Sequence, residues 1–319
     1  MNDEWLQSHI VSKTLFIGTN MQLLISVVLI IAYACIWECV CQTIPSWILS
    51  ALFPYYNTLT ESKQMQWNIK CTNIFFSILS LICASIAHTQ DEFVLMHDPI
   101  YATTPFAQRV LLVVCGFFLW DICICFIYYD VWGFQYVLHG FFCFSMFVYV
   151  HLSQMGTGYM LYTLYYESST IFMNLRCYLL ESKKTNTFLW HGINTMFVVC
   201  FFLSRIIFGT WLTYQLWSDL LFSTFPQMGK AIVFINSILS YGLNLYWASL
   251  MIKRFIMVLE QKKKYKSLLF GFEPKTLWLT ATRSANWATR AWMPTDGRWP
   301  TNWIIKAWNL LCFLSLNSA

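Results

Sequence analysis

Residues 110–129 read VLLVVCGFFLWDICICFIYY, and this stretch of twenty residues carries a single charged side chain, Asp121. A helix of about 20 apolar residues crosses a hydrocarbon core of about 30 Å. Lipid offers no hydrogen bonds to the backbone, so a spanning segment must satisfy its amides internally, as a helix does. The stretch therefore predicts a transmembrane helix.

Six further stretches share this length and apolar composition: 21–41, 69–88, 133–153, 158–180, 188–216 and 229–252. The stretch at 158–180 is the weakest by hydropathy because polar residues interrupt it. The one at 188–216 exceeds a single span, which predicts a tilted helix or a change of direction at Arg205. The predicted fold class is an all-α integral membrane protein with about seven transmembrane helices.

The composition supports the same class. Hydrophobic residues make up 58% of the chain and charged residues 11%, against about 45–50% and about 25% in soluble domains. The net charge of +5 is modest and lies mostly near the C-terminus, which excludes a nucleic-acid reader with its basic stripe. The 12 cysteines lie mostly within apolar runs and form no CxxC pair, so we predict no metal site, disulfide framework or cofactor.

Basic residues near the span ends predict the orientation, because cytosolic loops are enriched in Lys and Arg. The lysines at 262–264 follow the last span, and Lys183 and Lys184 lie in an earlier turn. Lys63 and Lys70 are assigned to the connection that enters the second span. These positions are all cytosolic if the N-terminus is lumenal. We therefore predict a lumenal N-terminus, a first span that acts as an anchor, and a cytosolic C-terminus.

Ionisable side chains at membrane depth cost several kcal/mol and usually face a protein interior or a cavity. Asp121 and His139 each lie about nine residues from Asp130 in the turn between the third and fourth spans. Equal separation from the turn places both at a similar depth, where they can meet. Glu167, in the fifth span, is predicted to add a second carboxylate to the same inner cavity.

One face of the fifth span continues this polar surface. Glu167, Thr170 and Asn174 follow the spacing of residues that share a helix face. The cavity could support general acid–base chemistry or hold a polar lipid headgroup. Alternatively, each residue alone serves as an interhelical hydrogen-bonding group. Arg176 and Arg205 are interpreted as snorkelling or pairing near helix ends.

The chain from about residue 55 to 259 resembles the TLC domain, the fold shared by TRAM and the ceramide synthases. The resemblance rests on ordered motifs: Leu59 with Lys63, Trp67 and Lys70, then GFFLWD at 116–121, LH at 138–139, ESSTIFMNLR at 167–176, FFLSR at 201–205 and NLYW at 244–247. The run at 167–176 is the most specific. It is similar to the branch of TLC domain-containing protein 4 and its fungal counterparts.

The resemblance implies a barrel of six helices, formed by spans two to seven, with one extra N-terminal helix. It also implies that Asp121, His139 and Glu167 face the barrel interior. The predicted ligand-binding residues are Asp121, His139, Glu167, Thr170, Asn174 and Asn244. The predicted organisation is an N-terminal segment and first helix at 1–54, a TLC domain at 55–266 and a Trp-rich cytosolic tail at 267–319. Localisation to the endoplasmic reticulum follows from the family.

Ceramide synthases carry two adjacent histidines, whereas here His139 is followed by Gly140. They also carry a pair of aspartates, where this chain has Glu167 and Thr170. We therefore predict a membrane protein that binds or handles lipids in an intramembrane cavity and contributes to lipid homeostasis. The alternative is a lipid acyltransferase with His139 as general base, Asp121 or Glu167 orienting it, and acyl-CoA and a sphingoid base as substrates.

Overall fold

The structure, a computed structural model, describes residues 20–90, 97–185 and 187–271. Within these residues every regular element is helical and there is no strand. The contacts divide the chain into two compact units. One comprises the described residues of 1–122 and 139–255, and the other those of 123–138 and 256–319.

Ten α-helices follow one another along the described chain. They are α1 (Asn20–Leu52), α2 (Glu61–Gln90), α3 (Pro105–Ile127), α4 (Tyr129–Trp132), α5 (Phe134–Ser153), α6 (Thr157–Thr163), α7 (Glu167–Glu181), α8 (Phe188–Phe201), α9 (Gly209–Phe222) and α10 (Gln227–Gly271). Short 3₁₀ segments lie at Pro54–Thr58 and Leu164–Tyr166. A π-helical segment, Phe202–Phe208, joins α8 to α9.

Six of these segments are long and apolar enough to cross a membrane: Gln22–Leu52, Glu61–Thr89, Pro105–Ile127, Phe134–Ser153, Phe188–Phe222 and Gln227–Gln261. They correspond to six of the seven predicted spans. The protein is therefore an all-helical, multi-pass membrane protein, as the sequence predicts. The predicted lumenal and cytosolic ends remain predictions.

The fifth predicted span, at 158–180, is helical but is not among these six apolar segments, and a short 3₁₀ turn interrupts its α-helical geometry. It consists of α6, the 3₁₀ segment Leu164–Tyr166 and α7. Polar residues from Glu167 onward lower its hydropathy, which is the property that made it the weakest span in the sequence. This segment supplies much of the polar surface described below.

The N-terminal helix α1 is attached to its neighbours through polar side chains. Trp120 Nε1 on α3 donates a hydrogen bond of 2.8 Å to Glu38 Oε2 on α1. The Ser26 hydroxyl is 3.1 Å from a ring nitrogen of His151 on α5. The other ring nitrogen of His151 is 2.8 Å from Gln108 Oε1 on α3. In an apolar solvent such bonds help to hold helices together, at about 0.5–2 kcal/mol each.

The helices α1 and α3 approach each other closely at Gly116. A β-carbon built there would lie 2.3 Å from Tyr33 Cβ and 3.1 Å from the Ala34 backbone nitrogen. Both atoms are fixed by the backbone of α1, so no rotamer change can relieve the clash. Glycine at this position therefore sets the distance between the two helices, as small residues do in membrane proteins.

We expect Gly116→Ala to lower the midpoint of thermal unfolding, at a cost of about 1–3 kcal/mol for overpacking. The control is Gly192→Ala in α8, where an added β-carbon meets no atom within 4 Å. That change should raise stability by about 0.5–1 kcal/mol, because alanine restricts the unfolded chain. Size-exclusion chromatography after heating measures the unfolding midpoint of each detergent-solubilised variant. It should show a lower midpoint for Gly116→Ala and a higher one for Gly192→Ala. Equal shifts would contradict the close contact at Gly116.

The buried core of the larger unit contains an aromatic cluster between the 3₁₀ segment Pro54–Thr58, α2 and α7. Trp67 and Tyr178 are fully buried, with ring centroids 4.7 Å apart, and the Tyr178 hydroxyl donates to the Trp67 carbonyl at 2.8 Å. This cluster fixes α7 against α2. Lys70, which the sequence assigns to a cytosolic connection, lies beside it inside α2 and is 2% exposed.

The smaller unit contains the turn region between α3 and α5. Gly133 ends α4 with φ of +78°, a conformation that favours glycine. Trp132 and Tyr136 on either side of it meet edge-on, with ring centroids 5.8 Å apart. Of the predicted tail at 267–319, residues 267–271 belong to α10 and the rest lie outside the described residues. The domain boundaries at 54 and 266 remain predictions.

Candidate functional site

The centre of the candidate site is Arg205, which lies in the π-helical segment between α8 and α9. Its side chain is buried, with 6% of its surface exposed. The segment Phe188–Phe222 is continuous through this point, so Arg205 lies well inside a span. Of the two predicted roles, pairing is confirmed by the contact with Glu167, but Arg205 lies in the middle of the segment and not near a helix end. Single π-helical turns inside α-helices occur frequently at functional sites.

Arg205 binds side chains from two other helices. Its Nε donates to Ser169 Oγ at 3.0 Å and its NH2 group donates to Thr170 Oγ1 at 3.1 Å. Its NH1 group donates to Asn244 Oδ1 on α10 at 3.4 Å. The same NH2 nitrogen lies 3.6 Å from Glu167 Oε1. The planar guanidinium thus ties α7 and α10 to the π-helical segment, which a point charge such as lysine could not do in this geometry.

Two aromatic rings complete the surroundings of the guanidinium. The Arg205 carbon Cζ lies 6.0 Å from the ring centroid of Tyr166 and 5.9 Å from that of Phe201. A desolvated cation gains about 2 kcal/mol from such faces. The hydrogen bonds, the ring faces and the Glu167 carboxylate together offset the cost of burying the charge.

Glu167 is the first residue of α7 and is mostly buried, with 12% of its side chain exposed. One of its carboxylate oxygens faces Arg205, and the other accepts a hydrogen bond of 3.1 Å from Ser77 Oγ on α2. Ser77 also donates to the Asn73 carbonyl of its own helix. Glu167 therefore connects α2 to the cluster around Arg205.

His139 lies on α5 among aromatic rings. Its ring centroid is 5.4 Å from that of Trp247 on α10 and 6.3 Å from that of Phe118 on α3, both edge-on. The Cys143 sulfur, one turn along α5, is 3.7 Å from its Nδ1. His139 also lines the cavity described below.

Asp121 reaches α5 beside His139, as the equal spacing from the turn predicts. A β-carbon built at Gly140 would lie 3.2 Å from Asp121 Oδ2. Within the described residues, however, no hydrogen bond joins Asp121 to His139. Asp121 lies within electrostatic reach of Glu167, and His139 of Arg205. These four ionisable residues form one group, which we call the Arg205 cluster.

The structure separates the remaining predicted ligand-binding residues into two kinds. Thr170 and Asn244 contact Arg205 directly, and Asn244 also lines the cavity. Asn174 is buried but donates to the Thr170 carbonyl one turn back in α7, at 3.0 Å. This hydrogen bond stays within α7, so Asn174 has a structural role in its own helix.

A cavity of about 120 Å³ lies beside the Arg205 cluster. Its polar lining consists of His139, Arg205, Asn236, Ser237, Ser240 and Asn244 on α5, the π-helical segment and α10, together with Thr163, Thr213 and the tyrosines Tyr159, Tyr166 and Tyr241. Of the residues predicted for the site, His139 and Asn244 are in this lining, whereas Asp121, Glu167, Thr170 and Asn174 lie behind it. Apolar side chains of α5, α6 and α9 form the remaining wall.

The polar stripe of α10 has its own hydrogen bonds. Asn236 Nδ2 donates to Ser145 Oγ at 2.8 Å and to the Phe142 carbonyl at 3.3 Å. Ser240 Oγ donates to Asn236 Oδ1 at 3.2 Å. Asn236, Ser240 and Asn244 recur at every fourth residue, so they share one face of α10. This face points into the cavity.

Sequence reasoning missed Arg205, Asn236 and Ser240 as site residues. The recurrence of Asn236, Ser240 and Asn244 inside an apolar span was a visible signal for a buried polar face. Arg205 had a signal too, since an arginine in the interior of a 29-residue predicted span cannot reach either membrane surface easily. Its partners on α7 and α10 could not be read from the sequence.

Comparison with known proteins agrees with this architecture. The TLC domain family matches residues 66–253, which is more than half of the chain. The chain is 28% identical over 211 residues to TLC domain-containing protein 4 C of Dictyostelium discoideum, covering 62% of this chain and 74% of that relative. The matched region contains the whole Arg205 cluster and the polar face of α10. The protein therefore belongs to the TLC domain family of helical, multi-pass membrane proteins.

Proposed function

We propose that the protein binds a membrane lipid in the cavity beside the Arg205 cluster and thereby contributes to lipid homeostasis. The observation that supports this most is the cavity itself, which combines a polar face on α10 with apolar side chains of α5, α6 and α9. A lipid is amphipathic, so its headgroup would contact Asn236, Ser240 and Asn244 while its chains contact the apolar wall. Lipids are also the most abundant molecules around a cavity inside a membrane.

An acyltransferase is the second candidate function, because His139 lines the cavity and could take a proton from an amine nucleophile. A general base is usually oriented by a hydrogen-bonded partner. Among the described residues, the polar neighbour of the His139 ring is the Cys143 sulfur. The geometry therefore supports binding better than N-acylation.

Gly140 bears on the same question, since it replaces the second histidine of the ceramide synthase motif. A β-carbon there would lie 2.9 Å from Ile122 Cγ1 and 3.2 Å from Asp121 Oδ2. A histidine at this position would have to displace the side chains of Ile122 and Asp121.

We further propose that the protein resides in the endoplasmic reticulum, with a lumenal N-terminus and a cytosolic C-terminus. The exposed Lys183 and Lys184 in the turn between α7 and α8 support this orientation. Lys70 does not contribute to it, because it is buried in α2.

The lipid-binding proposal is tested with a photoactivatable, alkyne-tagged fatty acid, which cells incorporate into many lipid classes. After irradiation and purification, we expect crosslinks on the cavity residues Met146 and Met160. Ser240→Trp, which fills the cavity, should remove most of this labelling. Ile238→Trp adds the same ring to the lipid-facing side of α10, where Ile238 is 52% exposed, and should leave the cavity labelling unchanged.

Absence of crosslinks on Met146 and Met160 in the wild-type protein would contradict lipid binding in the cavity. A separate incubation with labelled acyl-CoA and a long-chain base tests the acyltransferase. Turnover that is abolished by His139→Ala would establish the second candidate function in place of the first.

A further inference from the structure

We infer that the cavity selects a lipid with an uncharged headgroup that carries a hydroxyl or amide group, such as a diacylglycerol, over an anionic phospholipid. This inference rests on the proposed lipid-binding function and adds the chemical class of the ligand. It is carried by three features of the site: its charge balance, the hydrogen-bonding groups of its lining, and its volume.

The charge balance excludes a site for an anion. Arg205 is the one permanently charged group in the cavity lining among the described residues. Its charge is already opposed by Glu167 at 3.6 Å, and Asp121 adds a second carboxyl group to the cluster. The Arg205–Glu167 pair therefore carries no net charge, and Asp121 adds no positive charge to it.

The guanidinium also has few donors left for a ligand. Arg205 already donates to Ser169, Thr170 and Asn244 and faces Glu167. A phosphate in this cavity would lose its hydration without gaining a free cation, and burial of an uncompensated charge is costly. A phosphate-binding site commonly uses an arginine whose guanidinium N–H groups are free to donate to the ligand. Here those N–H groups donate to other side chains of the protein.

The neutral groups of the lining offer both donors and acceptors. Asn244 accepts from Arg205 through its oxygen, so its amide NH₂ is the part that remains for a ligand. Asn236 uses its NH₂ on Phe142 and Ser145 and accepts one bond from Ser240, so a lone pair of its oxygen remains. A hydroxyl or a secondary amide can bond to either of these groups, which lie about two turns apart on α10. An ionised phosphate group, which only accepts, cannot bond to the Asn236 oxygen.

The volume limits the headgroup to a small one. The cavity measures about 120 Å³, whereas pockets that enclose a whole drug-sized ligand measure about 300–1,000 Å³. It can hold a glycerol-sized or amide-sized group and at most the first carbons of the acyl chains. A sugar or phosphocholine headgroup would require the helices to move apart.

The test uses the purified wild-type protein in detergent and measures how two lipids compete with crosslinking of a photoactivatable diacylglycerol at Met146 and Met160. Dioleoylglycerol and dioleoyl phosphatidate have identical chains and differ in the phosphate. We expect the diacylglycerol to compete at a concentration at least about tenfold lower. Equal competition, or a preference for phosphatidate, would overturn the inference and leave lipid binding intact. Failure of both lipids to compete, with no crosslinks, would overturn the proposed function as well.

A charge variant tests the physical cause of the selectivity. Glu167→Gln leaves the Arg205 charge without its opposing carboxylate, so the preference should shift towards phosphatidate by about tenfold or more. The matched control is Glu181→Gln, which removes a carboxylate of the same helix that pairs with Lys70 outside the cavity. The control should keep the wild-type preference. A similar shift in both variants, or in neither, would overturn the role of the Arg205–Glu167 balance. The wild-type measurement decides the inference even if both variants fail to fold.

Discussion

Arg205→Met is expected to destabilise the folded protein by about 3–5 kcal/mol, which is the usual cost of removing one partner from a buried ion pair. The reason is that Glu167, with 12% of its side chain exposed, would keep its charge in an apolar environment with Ser77 as its remaining donor. The hydrogen bonds to Ser169, Thr170 and Asn244 would be lost at the same time. In a protein of ordinary stability this leaves little folded material.

The double variant Arg205→Met/Glu167→Gln separates the charge from the hydrogen bonds. It removes the unpaired carboxylate, so it should be more stable than Arg205→Met alone and recover about half of the loss. Arg205→Lys should lie between the wild type and Arg205→Met, because an ammonium keeps the charge but not the planar fork. The measurement is the midpoint of thermal unfolding in detergent, with Lys184→Ala, at an exposed position, as control. A double variant as unstable as the single one would show that the charge of Glu167 does not cause the effect.

The second large effect is expected at Lys70. Its Nζ lies 2.5 Å from Glu181 Oε1, and Trp67 Nε1 donates to the other carboxylate oxygen of Glu181 at 2.5 Å. Lys70 is 2% exposed and Trp67 is fully buried. Lys70→Met would leave the Glu181 carboxylate, 16% exposed, with its tryptophan donor alone. We expect a loss of about 3–5 kcal/mol, as for other broken buried pairs.

Lys63→Met is the control for this prediction, because Lys63 lies on the same helix but is exposed and donates to Gln66 at 3.1 Å. Its replacement should cost less than about 1 kcal/mol, as is usual for surface interactions. Unfolding midpoints of the two variants, measured side by side, check the difference. Similar midpoints for Lys70→Met and Lys63→Met would show that the Lys70–Glu181 pair contributes no more than a surface contact.

The two lysines also show where sequence reasoning reached its limit. Both precede an apolar run and both look like charges at a span end. The structure places Lys63 on the surface and Lys70 inside α2 against α7. The sequence contains no local feature that distinguishes them, because the distinction depends on Glu181, which lies more than one hundred residues further along the chain.

Asp121 and His139 show the opposite case. Their equal distance from Asp130 predicts that α3 and α5 bring them to the same depth, and the structure places Asp121 against Gly140, the neighbour of His139. This prediction follows from the rise per residue of an α-helix alone. Whether the two side chains share a hydrogen bond depends on rotamers and packing, and the described structure shows none.

The sequence by itself determined that this protein is all-helical and crosses a membrane several times, because apolar length and composition are local properties that lipid selects directly. It also indicated that His139 faces an interior, because polar groups in a span need protein partners. Only the tertiary structure decided that Arg205 is the centre of the site and that Asn236 and Ser240 line its cavity. The position of a buried charge depends on partners from several helices, and these are brought together by packing alone.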